Sequence, residues 1–562
     1  MKKKSTVSHQ QATNRAGELP LLVCAASAIS LLSFLYYFQR GEILLYGDAV
    51  AHINIARRVF DSQTPGLLQL GTVWLPLPHL LMVPLLVSEF MWRTGIGGSI
   101  PSMIAYVVSV VGIFRLAGGM LQTSEPGRRF ARAGAWIAAL TFGANPNLIY
   151  VQATAMTETL YLATSIWAAV FLLRWIESLR IGPNREEQGE ASLWKCALCL
   201  AAAELIRYDG WFLAMAAGAL VATIALRRWS DQGLRRAAAK LLLAIAAAPV
   251  LWLAYNGVFY GDPLEFAHGP YSAKAIEQRT AKPGYPAHPG AGNLIVAGSF
   301  FLKSAQLNMA PGNWGRIWIV IALAGFLFAK RSLRTAPVVL LLWVPLLFYA
   351  VSIAYGGVPL FVPTWWPHTW YNIRYGLQFL PLFAVAAGLA AALAIEFLSK
   401  RYSARRLPLA GYGAAIAVIA ICYASVWYSQ PLCFTEAWVN SRTKLALESS
   451  VARVVSVLPP TSRYLMYVGD HVGLFQQAGI PLRQVINEGN HRPWMRPKDP
   501  DGLWERALAN PGRFVEFVIA YDGDVVDEKV EKKNLELLTE IHTTGQPHAR
   551  IYAAHPTLNQ SR

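Results

Sequence analysis

The chain is poor in charged residues and in cysteine, and both shortages exclude classes of protein. Only 15% of its 562 residues are Asp, Glu, Lys or Arg, against about 25% in a typical soluble domain. At the same time 54% of the residues are hydrophobic. This composition excludes a disordered or fibrous chain and argues against an ordinary cytosolic enzyme. Cys196 and Cys199 form a Cys-x-x-Cys pair, but no second pair follows, so neither a disulfide scaffold nor a metal site is predicted.

Acidic residues are scarce in one part of the chain only. Residues 430–562 carry 15 basic and 15 acidic side chains, so the whole net charge of +17 lies in residues 1–429. There the basic residues form short clusters between long apolar runs. That arrangement is typical of membrane topology and not of nucleic-acid binding, so we expect no nucleic-acid partner.

The apolar runs predict a multi-pass membrane protein, because about 20 apolar residues in a helix cross a bilayer. The basic clusters near residues 128–132, 227–236, 330–334 and 400–406 then lie in the cytoplasm together with the N-terminus. The predicted fold class is an α-helical polytopic protein of about 11 transmembrane helices with a small C-terminal extracytoplasmic α/β domain. The runs cover residues 19–38, 102–121, 132–150, 157–175, 194–206, 210–226, 238–258, 316–329, 336–354, 374–397 and 408–428.

The same runs divide the chain into three parts. Residues 1–18 form a cytoplasmic tail, 19–429 a transmembrane domain and 430–562 a soluble domain outside the membrane. The proline-containing segment 73–92 is predicted to lie at the outer interface and not to cross. In the soluble domain, residues 464–468 and 514–520 are typical of strands and 441–458 and 526–539 of helices. The predicted external loops of the transmembrane domain are 39–101, 259–315 and 355–373.

Ionisable side chains beside the apolar runs are the candidate functional residues, because charge at membrane depth is costly. Asp48 follows the first run, and His52 lies four residues later, on the same face if the segment is helical. Arg57 and Arg58 come in the next turns. The segment predicts a site where the membrane meets the outside, or else a solvated interfacial helix.

Further candidates lie at the outer ends of later runs. Glu158 opens one run, where it acts either in chemistry or as a helix cap. The turn 207–209 is either a structural ion pair or a phosphate site, and Arg374 can grip phosphate oxygens with two N–H groups. Cations and carboxylates at one face predict transfer from a lipid-linked donor, with a carboxylate deprotonating an acceptor. The predicted ligands of a lipid phosphate are His52, Arg57, Arg58, Arg207, Asp209, Lys303, His368 and Arg374.

The order of these motifs resembles the GT-C superfamily of polyprenyl-phosphate-sugar-dependent glycosyltransferases. Within it the chain is most similar to the protein-mannosyltransferase and aminoarabinose-transferase type of family 39 and its relatives. The resemblance covers about residues 20–400, and the order and common membrane side of the motifs are its specific features. The motifs are 47–48 (Gly-Asp), 74–79 (Trp-Leu-Pro-Leu-Pro-His), 156–158 (Met-Thr-Glu), 205–210 (Leu-Ile-Arg-Tyr-Asp-Gly), 255–263 and 373–375 (Ile-Arg-Tyr).

The resemblance implies an inverting displacement at the anomeric carbon of the donor sugar. Asp48 would be the catalytic base and Glu158 a secondary acid, while polyprenyl phosphate leaves. The implied partners are a polyprenyl-phosphate sugar donor, membrane lipid and an extracytoplasmic lipid, glycan or protein acceptor, at the inner or plasma membrane. Two departures concern the acceptor and the metal requirement: Ala49 follows Asp48 in place of a second acid, and Gln152 stands where an arginine is common.

No cofactor is expected, and no metal is assigned to the site. A divalent metal is the less favoured alternative, because no Asp-x-Asp motif lies near Glu158. Two other functions stay open. A membrane scaffold whose outer domain binds cell-envelope material would tolerate replacement of Asp48. A secondary transporter would have repeated halves and midplane charges, neither of which the sequence contains.

Overall fold

Helices make up most of the computed structural model, which describes residues 2–123, 128–179, 186–281, 284, 286–330, 335–402, 407–490, 501–532 and 535–554. The basic residues at 331–334 and 403–406 lie outside this range. The helices are α1 (Lys2–Gln39), α2 (Gly47–Arg58), α3 (Leu77–Met82), α4 (Glu89–Thr94), α5 (Ile96–Gln122), α6 (Ala131–Gly143), α7 (Pro146–Val151), α8 (Glu158–Ser178), α9 (Glu186–Glu204), α10 (Asp209–Arg227), α11 (Gln232–Tyr260), α12 (Glu265–His268), α13 (Ala273–Thr280), α14 (Leu294–Leu307), α15 (Arg316–Lys330), α16 (Ala336–Leu341), α17 (Val344–Tyr355), α18 (Leu380–Arg401), α19 (Leu407–Tyr428), α20 (Leu432–Val455), α21 (Leu474–Ala478), α22 (Leu503–Ala509) and α23 (Val525–Lys529).

Eight helical stretches of the described residues are long and apolar enough to cross a membrane. They confirm a multi-pass helical protein. The sequence predicts 11 membrane-crossing runs, but only eight described stretches are both long and apolar enough to cross. The run 132–150 is divided into α6 and α7, because Asn145 caps α7 by accepting hydrogen bonds from the Asn147 and Leu148 amides. The run 316–329 is a shorter apolar helix, α15, and the run 194–206 lies in α9, whose first half is polar.

The segment 73–92 forms two short helices, α3 and α4, and not one crossing helix. Pro76 and Pro78 stand at the start of α3, where proline is tolerated because the first amides of a helix have no partner within it. The amide of Leu77 donates to the Leu205 carbonyl at 3.0 Å. This loop is therefore joined to the turn between α9 and α10.

The C-terminal part contains a five-stranded sheet in the order β2-β1-β3-β5-β4. The strands are β1 (Tyr464–Met466), β2 (Val485–Ile486), β3 (Phe517–Tyr521), β4 (Leu535–Ile541) and β5 (Ala549–Ala554). β1 is parallel to β2 and β3, whereas β5 is antiparallel to β3 and β4. One face buries Leu465, Trp504 and Val518 in a core separate from that of the bundle. The predicted small α/β domain is confirmed.

The prediction of a helix over residues 526–539 of this domain is wrong. Among the described residues of this range, the short α23 ends at Lys529, and β4 begins at Leu535. Leu537 and Thr539 of β4 pair with Tyr552 and Ile551 of β5, with a register shift between them. Pairing with a neighbouring strand has overridden the local helix preference, as tertiary context commonly does.

Helix α20 joins the sheet domain to the bundle. Its first turn packs into the bundle, where the Cys433 amide donates to Asn147 Oδ1 at 2.9 Å and the Tyr46 hydroxyl donates to the Cys433 carbonyl at 2.7 Å. A boundary at residue 430 stays a prediction, but the first turns of α20 contact the transmembrane domain.

Candidate active site

Six ionisable side chains meet where α2, α8, the start of α10, α20 and the segment before α18 come together. Four of them are carboxylates, and two are guanidiniums that lie between the carboxylates. We call this set the Arg374 cluster: Asp48, Glu158, Arg207, Asp209, Arg374 and Glu436. Five of its members were singled out from the sequence, and the structure brings all five together.

Arg374 occupies the middle of the cluster. Its Nε is 3.2 Å from Glu158 Oε1 and its Nη1 is 2.9 Å from Glu436 Oε1, while Nη2 donates to Asp48 Oδ2. Each of its three nitrogens therefore contacts a different carboxylate. The residue lies in a 3-10 helix, Ile373–Phe379, which packs against α14.

The packing of that 3-10 helix requires a glycine. A side chain at Gly376 would meet the backbone of Ser304 and Ala305 at 2.6 Å. The Ser304 hydroxyl donates to the Ile373 carbonyl at 2.7 Å, beside Arg374. The backbone that carries Arg374 is thus fixed by direct contact with α14.

Arg207 holds the other half of the cluster. Its Nη1 is 3.2 Å from Glu158 Oε1, its Nε is 3.3 Å from Asp209 Oδ1, and its Nη2 donates to the Tyr349 hydroxyl at 3.0 Å. A side chain at Gly210 would meet the Ala203 carbonyl at 2.4 Å, so only glycine lets α10 begin against the end of α9. The break between the two helices delivers Arg207 to the site, as irregular backbone at membrane depth often does.

Glu158 and Asp48 differ in their access to solvent. The Glu158 side chain is fully buried, and both guanidiniums share its Oε1. Among the described residues its Oε2 has no hydrogen-bond partner. Asp48, in the first turn of α2, leaves 43% of its side chain exposed. Asp48 is therefore the carboxylate of the cluster that a substrate can reach.

Glu436 is the member that sequence reasoning missed. It accepts hydrogen bonds from Arg374 Nη1, from the Arg374 amide at 3.3 Å and from the Tyr46 hydroxyl at 3.0 Å. Cys433, Glu436, Ala437 and Ser441 form the buried face at the start of α20. A glutamate at helical spacing on an otherwise small and apolar face was the signal that could have found it.

The carboxylates of the Arg374 cluster limit which of the predicted ligands can bind a phosphate. Arg374 and Arg207 already face carboxyl groups, of which the cluster has four for its two guanidiniums. Lys303 differs, because it is only 7% exposed and has no carboxylate within ion-pair distance among the described residues. Its Nζ lies 5.9 Å from the centre of the Trp365 ring, a cation–π contact. Lys303 is the buried candidate whose charge is not yet neutralised.

The histidine on α2 pairs with a second histidine. His52 Nδ1 lies 2.9 Å from His79 Nε2, and the His52 ring packs 4.6 Å from Trp74. Burial, with the charges of Arg207 and Arg374, lowers the pKa of His52 to about 3. Burial, with His52 and Arg58 nearby, also lowers the pKa of His79. The pair is neutral, so one ring donates a proton and the other accepts it.

Two other predicted ligands contact groups outside the cluster. Arg57 is buried, with its Nε 2.8 Å from Asp61 Oδ2 and its Nη1 2.6 Å from the Leu86 carbonyl. His368 has a left-handed backbone (φ 58°), and its Nδ1 lies 3.2 Å from the Pro363 carbonyl. Arg57 has a packing role here, and His368 shapes the loop before Arg374.

The fold has solved relatives, whereas no family model and no curated protein sequence matches the chain. ArnT from Cupriavidus metallidurans in the apo state superposes with a TM-score of 0.54 at 13% identity, over 98% of this chain and 100% of that one. ArnT bound to undecaprenyl phosphate gives 0.53 at 13% identity, over 97% and 99%. The archaeal oligosaccharyltransferase AglB from Archaeoglobus fulgidus, with an inhibitory peptide and a dolichol-phosphate, gives 0.46 at 12% identity, over 96% and 74%.

The likeness to ArnT covers both chains almost completely, so it includes the bundle and the C-terminal domain together. The fold implied by the sequence resemblance is thereby confirmed. The chain has the fold of the GT-C superfamily.

Proposed function

We propose that the protein is a membrane glycosyltransferase that moves a sugar from a polyprenyl-phosphate carrier to an extracytoplasmic acceptor. The observation that carries the proposal is the position of Asp48, an exposed carboxylate held by a buried arginine in a GT-C fold. ArnT, which shares this fold, binds undecaprenyl phosphate. The N-terminus is proposed to be cytoplasmic and the sheet domain to lie outside.

The proposed reaction is an inverting displacement. Asp48 takes the proton of an acceptor hydroxyl while that oxygen bonds to the anomeric carbon of the donor sugar. The bond from that carbon to the phosphate oxygen breaks, and polyprenyl phosphate leaves with the electron pair. Arg374 fixes Asp48 through Nη2. Glu158, buried between the two guanidiniums, keeps both of them in place and acts as a positioning residue.

We propose that the donor phosphate is bound mainly by Lys303, with Arg58 beside His79 as a second cation. A phosphate placed directly on Arg374 would meet the carboxylates of Asp48 and Glu436 and be repelled. Lys303 brings a positive charge without that repulsion. Lys303→Gln is therefore expected to raise the KM for the donor. Lys274→Gln, an exposed lysine of the same external loop, is the matched control.

No divalent metal is proposed as a requirement, because Arg374 supplies positive charge between the carboxylates of Asp48, Glu158 and Glu436. Activity should therefore survive treatment with a chelator. A metal-dependent rate restored by added Mg²⁺ or Mn²⁺ would contradict this part of the proposal.

The decisive experiment compares wild-type protein with Asp48→Asn in polyprenyl-phosphate-containing membranes, using labelled polyprenyl-phosphate sugars and native membrane acceptors. We expect label transfer by the wild type and a loss of at least about 100-fold in the variant, the usual contribution of a positioned base. Glu190→Gln, which changes an exposed surface carboxylate, should keep full activity. Equal transfer by Asp48→Asn and wild type would remove Asp48 as the base.

A further inference from the structure

A second group of histidine and carboxylate side chains lies at one end of the C-terminal sheet, away from the Arg374 cluster in sequence. His542 Nε2 lies 3.7 Å from Glu540 Oε2, and His548 Nδ1 lies 3.7 Å from Glu540 Oε1 and 3.4 Å from Asp522 Oδ2. The two imidazole rings are 4.1 Å apart. We call these four residues the sheet-end cluster.

The strand register brings these residues together. Glu540 of β4 pairs with Arg550 of β5, and the Asp522 amide, just after β3, donates to the His548 carbonyl at 3.1 Å. Residues 542 and 548 flank the turn that connects β4 to β5. Glu540 lies in β4, and Asp522, His542 and His548 each lie one residue beyond the end of β3, β4 or β5, so the sheet register brings all four to one place.

The spacing of the atoms suits a metal ion. Metal–ligand bonds of about 2.0–2.2 Å in a tetrahedral site put neighbouring ligand atoms about 3.4 Å apart. His542 Nε2 and His548 Nδ1 each lie 3.7 Å from an oxygen of Glu540, which is close to that value. One ligand atom from each of Glu540, His542 and His548 lies within 4.8 Å of the others, the one such group found among the described residues.

Arg550 orients the two carboxylates of the cluster. Its Nε donates to Glu540 Oε1 at 2.9 Å and its Nη1 lies 2.7 Å from Asp522 Oδ1. Asp522 Oδ2 faces His548 and Glu540 Oε2 faces His542, while Glu540 Oε1 faces both Arg550 and His548. Hydrogen bonds of this kind from an outer group are typical of metal-binding carboxylates, because they fix the ligand before the ion arrives.

We propose that the sheet-end cluster binds one late first-row divalent metal ion, such as Zn²⁺, Ni²⁺ or Cu²⁺, through Glu540, His542 and His548. Two imidazole nitrogens with carboxylate oxygens suit these ions, whereas Mg²⁺ and Ca²⁺ prefer oxygen ligands alone. This site is independent of the proposed sugar transfer, and its test needs no activity assay.

The site would affect how the sheet domain contacts α20. Gln546, in the turn between the two histidines, donates from Nε2 to the Thr443 hydroxyl at 2.9 Å. Thr443 lies on the helix that carries Glu436. A bound ion would fix the turn and, through this hydrogen bond, stabilise the contact between the sheet domain and α20.

The test is a titration of full-length, tag-free protein in detergent with Zn²⁺, after chelator treatment and with millimolar Mg²⁺ present throughout. We expect one equivalent to bind by calorimetry and to raise the unfolding temperature. His542→Ala and His548→Ala should each weaken that equivalent at least about 10-fold and abolish the thermal shift. His268→Ala is the matched control, because His268 is an exposed histidine with one carboxylate, Asp262, at 3.5 Å.

Replacing Zn²⁺ with Cu²⁺ allows the nitrogen ligands to be counted spectroscopically, which distinguishes loss of a ligand from a folding defect. Electron paramagnetic resonance of the wild type should indicate two nitrogen ligands, and His542→Ala should leave one. Zn²⁺ binding by His542→Ala and His548→Ala that equals the wild type would overturn the proposal. Competition by Mg²⁺ at similar concentration would also overturn it, since it would indicate a general acidic surface.

Discussion

The protein contains two arginine-centred groups of carboxylates that have the same chemistry and opposite exposure. In the bundle, Arg374 is 7% exposed, with Glu158 at 0% and Glu436 at 2%. In the sheet, Arg550 is 26% exposed, with Glu540 at 31% and Asp522 at 39%. Water screens the second group, whereas protein surrounds the first except at Asp48, which is 43% exposed. The comparison teaches that the buried group depends on every member, whereas the exposed group can exchange its partners, including for a metal ion.

The largest expected effect comes from removing the carboxylate that the two buried arginines share. Glu158→Gln leaves Arg207 and Arg374 each without one ionic partner, because both contact Glu158 Oε1. Breaking a buried pair in this way costs about 3–5 kcal/mol. We expect the apparent unfolding free energy in detergent to fall by that amount.

The control for this prediction is Glu190→Gln. Glu190 pairs with Lys240 at 51% and 60% exposure, so its removal should cost less than about 1 kcal/mol. Equal losses from the two variants would mean that the Arg374 cluster behaves as a surface network.

The second effect concerns Glu436, which acts through Arg374. Glu436→Gln keeps the size of the side chain but removes the charge that faces Arg374 Nη1. We expect a loss of about 1.5–3 kcal/mol, the range for a hydrogen bond to a charged group. We also expect a lower kcat with little change in the KM for the donor, because Arg374 contacts Asp48, the proposed base.

Glu448→Gln is the control that separates the loss of stability from the loss of kcat. Glu448 is also buried on α20, but it contacts His471 and Gln477 of the sheet domain. The Glu448→Gln variant should be less stable than the wild type but should keep its kcat. A fall in kcat of similar size in both variants would assign the effect to α20 as a whole and not to Arg374.

The sequence predicted much of the fold, because apolar length and the side on which basic clusters fall are local properties. It also singled out Asp48, Glu158, Arg207 and Arg374, since each stands where an apolar run begins or ends, and helices that cross a membrane bring such ends to one face. Glu436 was not predicted, because its contact with Arg374 depends on the way α20 packs back onto the bundle. The strand β4 was mistaken for a helix because its partner β5 lies farther along the chain.

The sequence also did not predict that carboxylates compensate the positive charge of Arg374. Arg374 appeared to be a phosphate clamp because of its position beside the membrane. Only the folded structure places the carboxylates of Asp48, Glu158 and Glu436 around it. Which cations remain available to a phosphate therefore depends on distances between helices and not on motifs.

A third effect, intermediate in size, depends on pH. The His52–His79 pair is neutral in the folded protein, and burial lowers the pKa of His52 to about 3 and lowers that of His79. In the unfolded chain both titrate near about 6.5. The unfolded state therefore binds more protons below that pH. Acidification from pH 6.5 to 5 should cost roughly 1–2 kcal/mol through His52 and a further amount through His79.

His79→Gln should remove one of these contributions. The difference in stability between pH 6.5 and 5 should then be smaller in the variant than in the wild type. Identical pH profiles would mean that at least one ring of the pair is accessible to protons in the folded protein. Chemical denaturation at the two pH values, in the same detergent and salt, gives the measurement.

The smallest expected effect concerns the exposed group of carboxylates around Arg550. Arg550→Gln removes the guanidinium that Glu540 and Asp522 share, at 26% exposure, and should cost no more than about 1 kcal/mol at low salt. Because the Debye length falls from about 10 Å at 0.1 M to about 3 Å at 1 M, that cost should almost vanish at 1 M salt. The loss in Glu158→Gln should persist there, since ions do not reach a fully buried carboxylate. A salt-sensitive loss in Glu158→Gln, matching that of Arg550→Gln, would show that water and ions enter the Arg374 cluster. Asp48 would then no longer be distinguished from its neighbours by access to solvent.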